Sequence, residues 1–174
     1  NKIFEIKHVN FNDNTKYRVF EVSKCRLYTD TIHDTAVILE NKILEGPSFQ
    51  YRNNKNYSAN KNIVFTKGTP KIKRNLNGSV MSLLTGGGGN NNYWHWLYDV
   101  LPRFHILEKL KSIKDIDFFL LPNLERKFQI ETLDILGIPK EKRLSSINHR
   151  HIFSDKLFVV DHPYNLKNDP TIDS

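Results

Sequence analysis

Apolar and polar positions alternate with a period of two over the first part of the chain. Ile3, Phe4, Ile6 and Val9, and then Tyr17, Val19, Phe20 and Val22, lie on either side of Asn12-Asp13-Asn14. Short polar side chains like these bond to their own backbone, so the pattern predicts strand, turn, strand. Ala36, Val37, Ile38 and Leu39, then Glu40-Asn41-Lys42, then Ile43 and Leu44 predict a second hairpin, which Gly46-Pro47 ends. Residues 51–62 are rich in Asn and Lys with little to bury, and predict an exposed loop or a ragged segment. Ile63-Val64-Phe65 predicts a short strand, and residues 66–78 a loop.

From residue 79 the period changes. Val80, Met81, Leu83 and Leu84 form a compact apolar run over residues 79–85, the mark of a buried strand. Residues 86–92 predict a turn and 93 to about 111 a helix, whose basic end at Lys109, Lys111 and Lys114 suits a helix C-terminus. Residues 116–121 predict a strand stopped by Pro122. Residues 125–136 predict an amphipathic helix capped by Gly137, with Phe128, Thr132, Leu133 and Leu136 on one face. Residues 157–160 predict a last strand. Strand, helix, strand, helix, strand implies an α/β fold with a parallel, Rossmann-like sheet and right-handed crossovers. The expected organisation is one domain, with a β-hairpin-rich portion over 1–66 ahead of a Rossmann-like portion over 79–163. Pro102 lies inside the predicted helix and cannot donate to the Tyr98 carbonyl. It predicts a kink, or an early end followed by a second helix.

The most informative segment is GGGGNNNYWHWLYDVLPR, residues 86–103. His95, Asp99 and Arg103 stand at i, i+4 and i+8, within about 80° of one another on a helix. Tyr93, Trp96, Leu97, Val100, Leu101 and Phe104 cluster on the opposite face. The glycines make no P-loop, because no Gly-Lys-Ser/Thr follows, and their contiguity departs from the dinucleotide fingerprint. Gly87, Gly88 and Gly89 instead permit close approach by a ligand, ahead of a helix N-terminus where backbone N–H groups can meet an anion. A flexible linker is the alternative. For His95, early in the helix, the positive end of the dipole favours the neutral form. Asp99 one turn later can hold its ring and stabilise the imidazolium after proton uptake. That pair suits general-base chemistry, with Asp99 itself as the rival base. Arg103 pairs with Asp99, reaches a carbonyl freed by Pro102, or contacts a phosphate or a sugar carboxylate.

The same segment resembles the signature of glycosyltransferase family 61, in which an Asn-Tyr-aromatic-His-Trp-Leu-x-Asp-x-Leu-Pro-Arg run follows a glycine-rich turn. The likeness continues through Phe118-Phe119-Leu120-Leu121-Pro122, Phe128-Gln129 with Leu133, Leu136-Gly137-Ile138 and Asp155-Lys156-Leu157. It covers roughly residues 35 to 163. The four glycines and three asparagines depart from the commoner pattern. The resemblance implies the N-terminal, acceptor-side lobe of a two-domain GT-B enzyme, with a donor-binding C-terminal lobe outside this chain. Such an enzyme transfers a sugar with inversion from a nucleotide-sugar donor to a hydroxyl of a glycan or glycolipid acceptor, in surface-polysaccharide assembly. In that setting His95 and Asp99 are the catalytic candidates. Gly87, Gly88, Gly89, Asn91, Asn92, Trp94 and Arg103 are the substrate-binding ones. Trp94 offers a stacking face, Trp96 belongs to the core, and Asn92 can cap the helix instead. No metal or other cofactor is expected.

Composition narrows the choice of partners. The net charge of +7 favours acidic ones: sugar nucleotides, lipid phosphates, anionic membrane surfaces or nucleic acid. Lys67, Lys71, Lys73 and Arg74 form the tightest basic cluster, but no stacking aromatics interleave them, so a solvated loop is expected rather than a nucleic-acid patch. The single Cys25 excludes an internal disulfide and a cysteine-based zinc site, which suits a reducing compartment. His149 and His151 flank Arg150, and Asp155 alone stands near enough to extend that pair, too little for a metal site. Asp155, Asp161 and His162 surround a strand end and read as turn residues, with a ligand-binding role as the alternative. No apolar run reaches the roughly 18 residues of a membrane span. The expected location is cytoplasmic, with peripheral contact at the inner face of the membrane. A carbohydrate-binding or scaffolding module without catalysis is the competing function.

Overall fold

The structure is a computed structural model that describes residues 1–7, 16–48, 50–52 and 55–163. The expected turn at Asn12-Asp13-Asn14 lies outside the described residues, as does Val9. The N-terminal strands are β1 (Lys2–Lys7), β2 (Lys16–Thr29), β3 (Thr35–Leu39) and β4 (Lys42–Ile43). Each pairs antiparallel with its neighbour in sequence. The predicted hairpin over residues 36–44 is present, and Glu40 and Asn41 take positive φ (49° and 61°) at its tip.

Residues 51–62 are not a plain loop. β5 (Gln50–Arg52) and β6 (Lys55–Tyr57) form a separate two-stranded ribbon, followed by a 3₁₀ turn at Ala59–Lys61. Ile63-Val64-Phe65 is not a strand either: α1 (Val64–Lys67) is one helical turn. Side chains at its start outbid strand pairing, since Asn62 Oδ1 accepts from Val64 N (3.0 Å) and Asp34 Oδ2 accepts from Ile63 N (2.7 Å).

The second half contributes β7 (Arg74–Ser82), β8 (Phe118–Leu121), β9 (Arg143–Ser145) and β10 (His151–Val160). All run parallel in the order β10-β7-β8-β9. β10 also pairs antiparallel with β2, so hairpin and parallel portions share one mixed, eight-stranded sheet. The fold is α/β.

The strands differ from the sequence reading in their bounds and number. β7 begins inside the expected loop at Arg74, β10 begins at His151 rather than residue 157, and β9 was not anticipated. For β7 and β10 the cause is a bulge. Register between β10 and β7 shifts between Ser154 and Lys156, Gly78 has φ 119°, and Lys24 on β2 has φ 49°. Gly78 N donates to Asp155 Oδ2 (2.8 Å) and Ser79 N to Asp117 Oδ2 (2.7 Å), so two carboxylates satisfy the disrupted ladder. A Cβ on Gly78 would sit 2.5 Å from Asp117 Oδ2, which requires glycine there. Past the bulge, alternation resumes out of phase: Ile152 shares one face of the sheet with Leu157 and Val159.

The opposite face carries Met81, Phe119, Phe158 and Val160 beneath the helices. These are α2 (Tyr93–His95), running through a π-helical stretch (Trp96–Val100) into α3 (Leu101–Glu108), and α4 (Lys127–Ile135). Trp96, Val100, Phe104, Leu107 and Leu133 enter the core from them.

Candidate functional site

The site forms where strand connections diverge. From β7 the chain passes through the glycine turn and α2–α3 to β8 on one side, while β10 lies on the other side of β7. The C-terminal ends of β7 and β10 therefore border a split of the kind in which open α/β sheets bind ligands. The glycine turn follows β7, and Asp161 and His162 follow β10.

The helix entering the split starts on a side-chain cap. Asn92 Oδ1 accepts from His95 N (2.9 Å), satisfying an orphan donor of the first turn. The helix does not end at Pro102. Leu101 N bonds to the Trp96 carbonyl, five residues back, and the π stretch takes up the break in the ladder that Pro102 would otherwise impose. The wider turn also rotates the helix faces. Val100 and Phe104 are buried, but Leu97 and Leu101 are only half-buried and Tyr93 is exposed. The polar face is covered at two of its three residues: Asp99 is 5% and Arg103 0% exposed.

Asp99 is bracketed by two imidazoles. Its Oδ2 meets His95 Nδ1, and its Oδ1 lies 3.3 Å from His162 Nε2. The Asp99 and His162 side chains are each 7% exposed, whereas that of His95 is 30% exposed. Burial would raise the Asp99 pKa, but hydrogen bonds from His162 and His95, with their charges, outweigh it and hold the carboxyl below its usual range. Asp99 is therefore ionised at neutral pH. With Nδ1 occupied, Nε2 is the His95 ring nitrogen left for a further partner.

Arg103 donates through Nη2 to the Thr85 carbonyl at the start of the glycine turn, while Nε and Nη1 make no hydrogen bond to any described residue. Burial lowers its pKa to about 10, and Asp99 and Asp161 counter that loss, so it stays cationic at pH 7. Asp161 is clamped by Arg18 (2.8 and 3.1 Å). The carbonyl Arg103 reaches is thus the turn's, not one freed by Pro102. With no exposed surface, Arg103 does not present itself to a phosphate or sugar carboxylate in this state.

The predicted substrate contacts divide. Gly87 closes a 3₁₀ turn (Thr85–Gly87). Gly88 and Gly89 do allow a close approach, but by the chain itself: a Cβ on Gly88 would lie 2.4 Å from Leu83 O, and one on Gly89 2.4 Å from Thr31 O. Asn91 Oδ1 accepts from Gln129 Nε2 (2.6 Å), which ties the turn to α4, and Asn92 spends its oxygen on the cap. Trp96 is fully buried, and its Nε1 donates to Thr132 Oγ1 (2.9 Å). Trp94 remains open at 58% exposure, and Tyr98 at 44% packs against it with ring centroids 4.3 Å apart and the planes tilted by 39°. Tyr98 is the residue missed, and His162, read above as a turn residue with a ligand-binding role as the alternative, joins the site through Asp99. His162 carried one signal, its place just past the apolar end of β10.

The other sequence candidates are dispersed. His149 Nδ1 faces the Ser145 carbonyl (3.1 Å) and His151 Nδ1 the Pro70 carbonyl (2.9 Å). Among the described residues, no three His, Cys, Asp or Glu are placed to hold a metal ion. Lys73 lies 5.5 Å from the Phe153 ring centroid, and Arg74 opens β7. Compared with known protein families, with curated proteins and with solved structures, the chain matches none.

Proposed function

We propose that this chain is the acceptor-activating lobe of an inverting, metal-independent glycosyltransferase. The observation that carries the reading is a half-open His95 whose Nδ1 is held by a buried, ionised Asp99, next to the exposed Trp94–Tyr98 pair. An acceptor hydroxyl is a poor nucleophile until its proton leaves. His95 Nε2 takes that proton as the oxygen bonds to the anomeric carbon, and the bond from that carbon to the donor phosphate breaks. The nucleotide diphosphate departs with the electron pair and the configuration inverts. Asp99 stabilises the imidazolium formed.

The resemblance of residues 86–103 to glycosyltransferase family 61 supports the same chemistry. In this reading the mixed sheet is the Rossmann-like N-terminal lobe of a GT-B enzyme, and a second lobe holds the nucleotide sugar. The acceptor is a growing surface glycan or glycolipid, met at the inner face of the membrane. No helix among the described residues is long and apolar enough to cross a membrane. A carbohydrate-binding module is the second reading, favoured by the exposed aromatic pair alone.

Radiolabel transfer from a panel of nucleotide sugars to oligosaccharide acceptors, measured in the two-lobed enzyme, separates them. Catalysis predicts that His95→Ala lowers kcat by roughly 10²–10⁴ with acceptor binding kept. A binding module predicts no transfer with any donor, and loss of glycan binding in Trp94→Ala. The 174-residue chain alone is expected to bind sugar nucleotides weakly and to transfer none. Micromolar donor binding in a calorimetric titration of it would contradict the two-lobe arrangement.

A further inference from the structure

We infer that His162 is a positioning residue: it holds Asp99 in the one orientation that fixes the His95 ring with Nε2 free. This rests on the proton-accepting role given to His95 above.

Asp99 has two oxygens and three neighbours that attract them. Oδ2 engages His95 on the same helix, and Oδ1 lies 3.3 Å from His162 Nε2 at the end of β10. Arg103, also on the helix, is fully buried near enough to respond to the Asp99 charge and carries two N–H-bearing nitrogens, Nε and Nη1, with no hydrogen bond to a described residue. In a buried site an unbonded guanidinium draws a carboxylate strongly. A carboxylate tied only to His95 is free to turn about its Cβ–Cγ bond toward Arg103. His162 opposes that turn by holding the second oxygen from the sheet side. Asp161, the adjacent acidic group, is occupied by Arg18 and does not take the place of Asp99 (2.8 and 3.1 Å). The helix supplies the base and its partner, and β10 supplies the restraint that keeps the partner pointed at the base. The imidazole proton on Nδ1 follows from this: a carboxylate at that nitrogen selects the Nδ1–H tautomer and leaves Nε2 as the acceptor.

The tautomer can be read without any substrate. Long-range ¹H–¹⁵N spectra of ring-¹⁵N-histidine protein, with His95 assigned by its loss in His95→Gln, should show a single Nδ1–H form in the parent chain. In His162→Ala the His95 signals should move to a mixture of tautomers. His162→Gln, whose amide N–H extends about as far as the imidazole Nε2–H, should restore the single form, and the shorter His162→Asn should not. If His162→Ala does not fold, the comparison of Gln with Asn carries the test. An unchanged His95 tautomer in folded His162→Ala, or equal behaviour of Gln and Asn, overturns the inference. Because the readout needs no sugar transfer, its failure is distinct from failure of the glycosyltransferase reading, which the transfer assay decides.

Discussion

Replacing Arg103 with Met tests how the buried cation is used. Arg103 has no exposed surface and makes one hydrogen bond to a described residue, from Nη2 to the Thr85 carbonyl. Met fills similar volume without a donor. The substitution orphans a carbonyl in a buried turn, at a cost of about 1–3 kcal/mol. It also removes the positive charge near Asp99 and Asp161. Against these losses stands a gain. Nε and Nη1 make no hydrogen bond to described residues, so the guanidinium's desolvation is poorly compensated, and apolar replacements of such ions are sometimes neutral. The orphaned carbonyl and the two exposed-to-repulsion carboxylates outweigh that gain, so a net loss of about 2 kcal/mol is expected. For a chain of this size that lowers Tm by about 4–8 °C. Arg103→Lys keeps the charge and one donor and should fall between Met and the parent. Scanning calorimetry with circular dichroism melts reads both. A Tm for Arg103→Met equal to or above the parent's would show that the latch between α3 and the glycine turn contributes nothing, and the reasoning would fail.

Gly89→Ala should destabilise by about 1–3 kcal/mol through overpacking, because its Cβ meets Thr31 O at 2.4 Å; a parent-like melt with lost ligand binding would instead restore the ligand-cradle role. Asp99 has a folded pKa below its unfolded value, so its contribution to stability is present above about pH 4 and is lost as pH falls through the folded value. Acid titration of Asp99→Asn, followed by fluorescence, should therefore show a shallower loss of stability than the parent. Cys25 is buried and its thiol is pushed up to about 11, so it should resist a thiol reagent at pH 8 until denaturant is added. Its folded value lies above the unfolded one of about 8.5, so the stability it contributes is held below that pH and fades as pH rises toward 11.

Local pattern made the helix from Tyr93 and the helix Lys127–Ile135 legible, along with the hairpin at residues 36–44, because each keeps one period and carries its own cap or turn residues. The Asn92 cap and the burial of Trp96 followed from the same short-range logic. The contact of His95 with Asp99 was legible too, since helical spacing alone brings i and i+4 together. Other features have no local cause. The bulge at Gly78 and Asp155 shifts the phase of β10, which hides its first half from any period-two reading. The glycine run announces a close approach without saying what approaches, and the answer is the carbonyls of Leu83 and Thr31. Asp99 reads along the chain as the partner of His95, and it is a doubly held carboxylate only because β10, centred in the sheet between β2 and β7, ends beside it with His162. Periodicity, caps and turns act over a few residues and can be seen along the chain. Which strand lies next to which, and hence which far-off side chain meets the acid, is settled by burial and backbone pairing across the whole sheet.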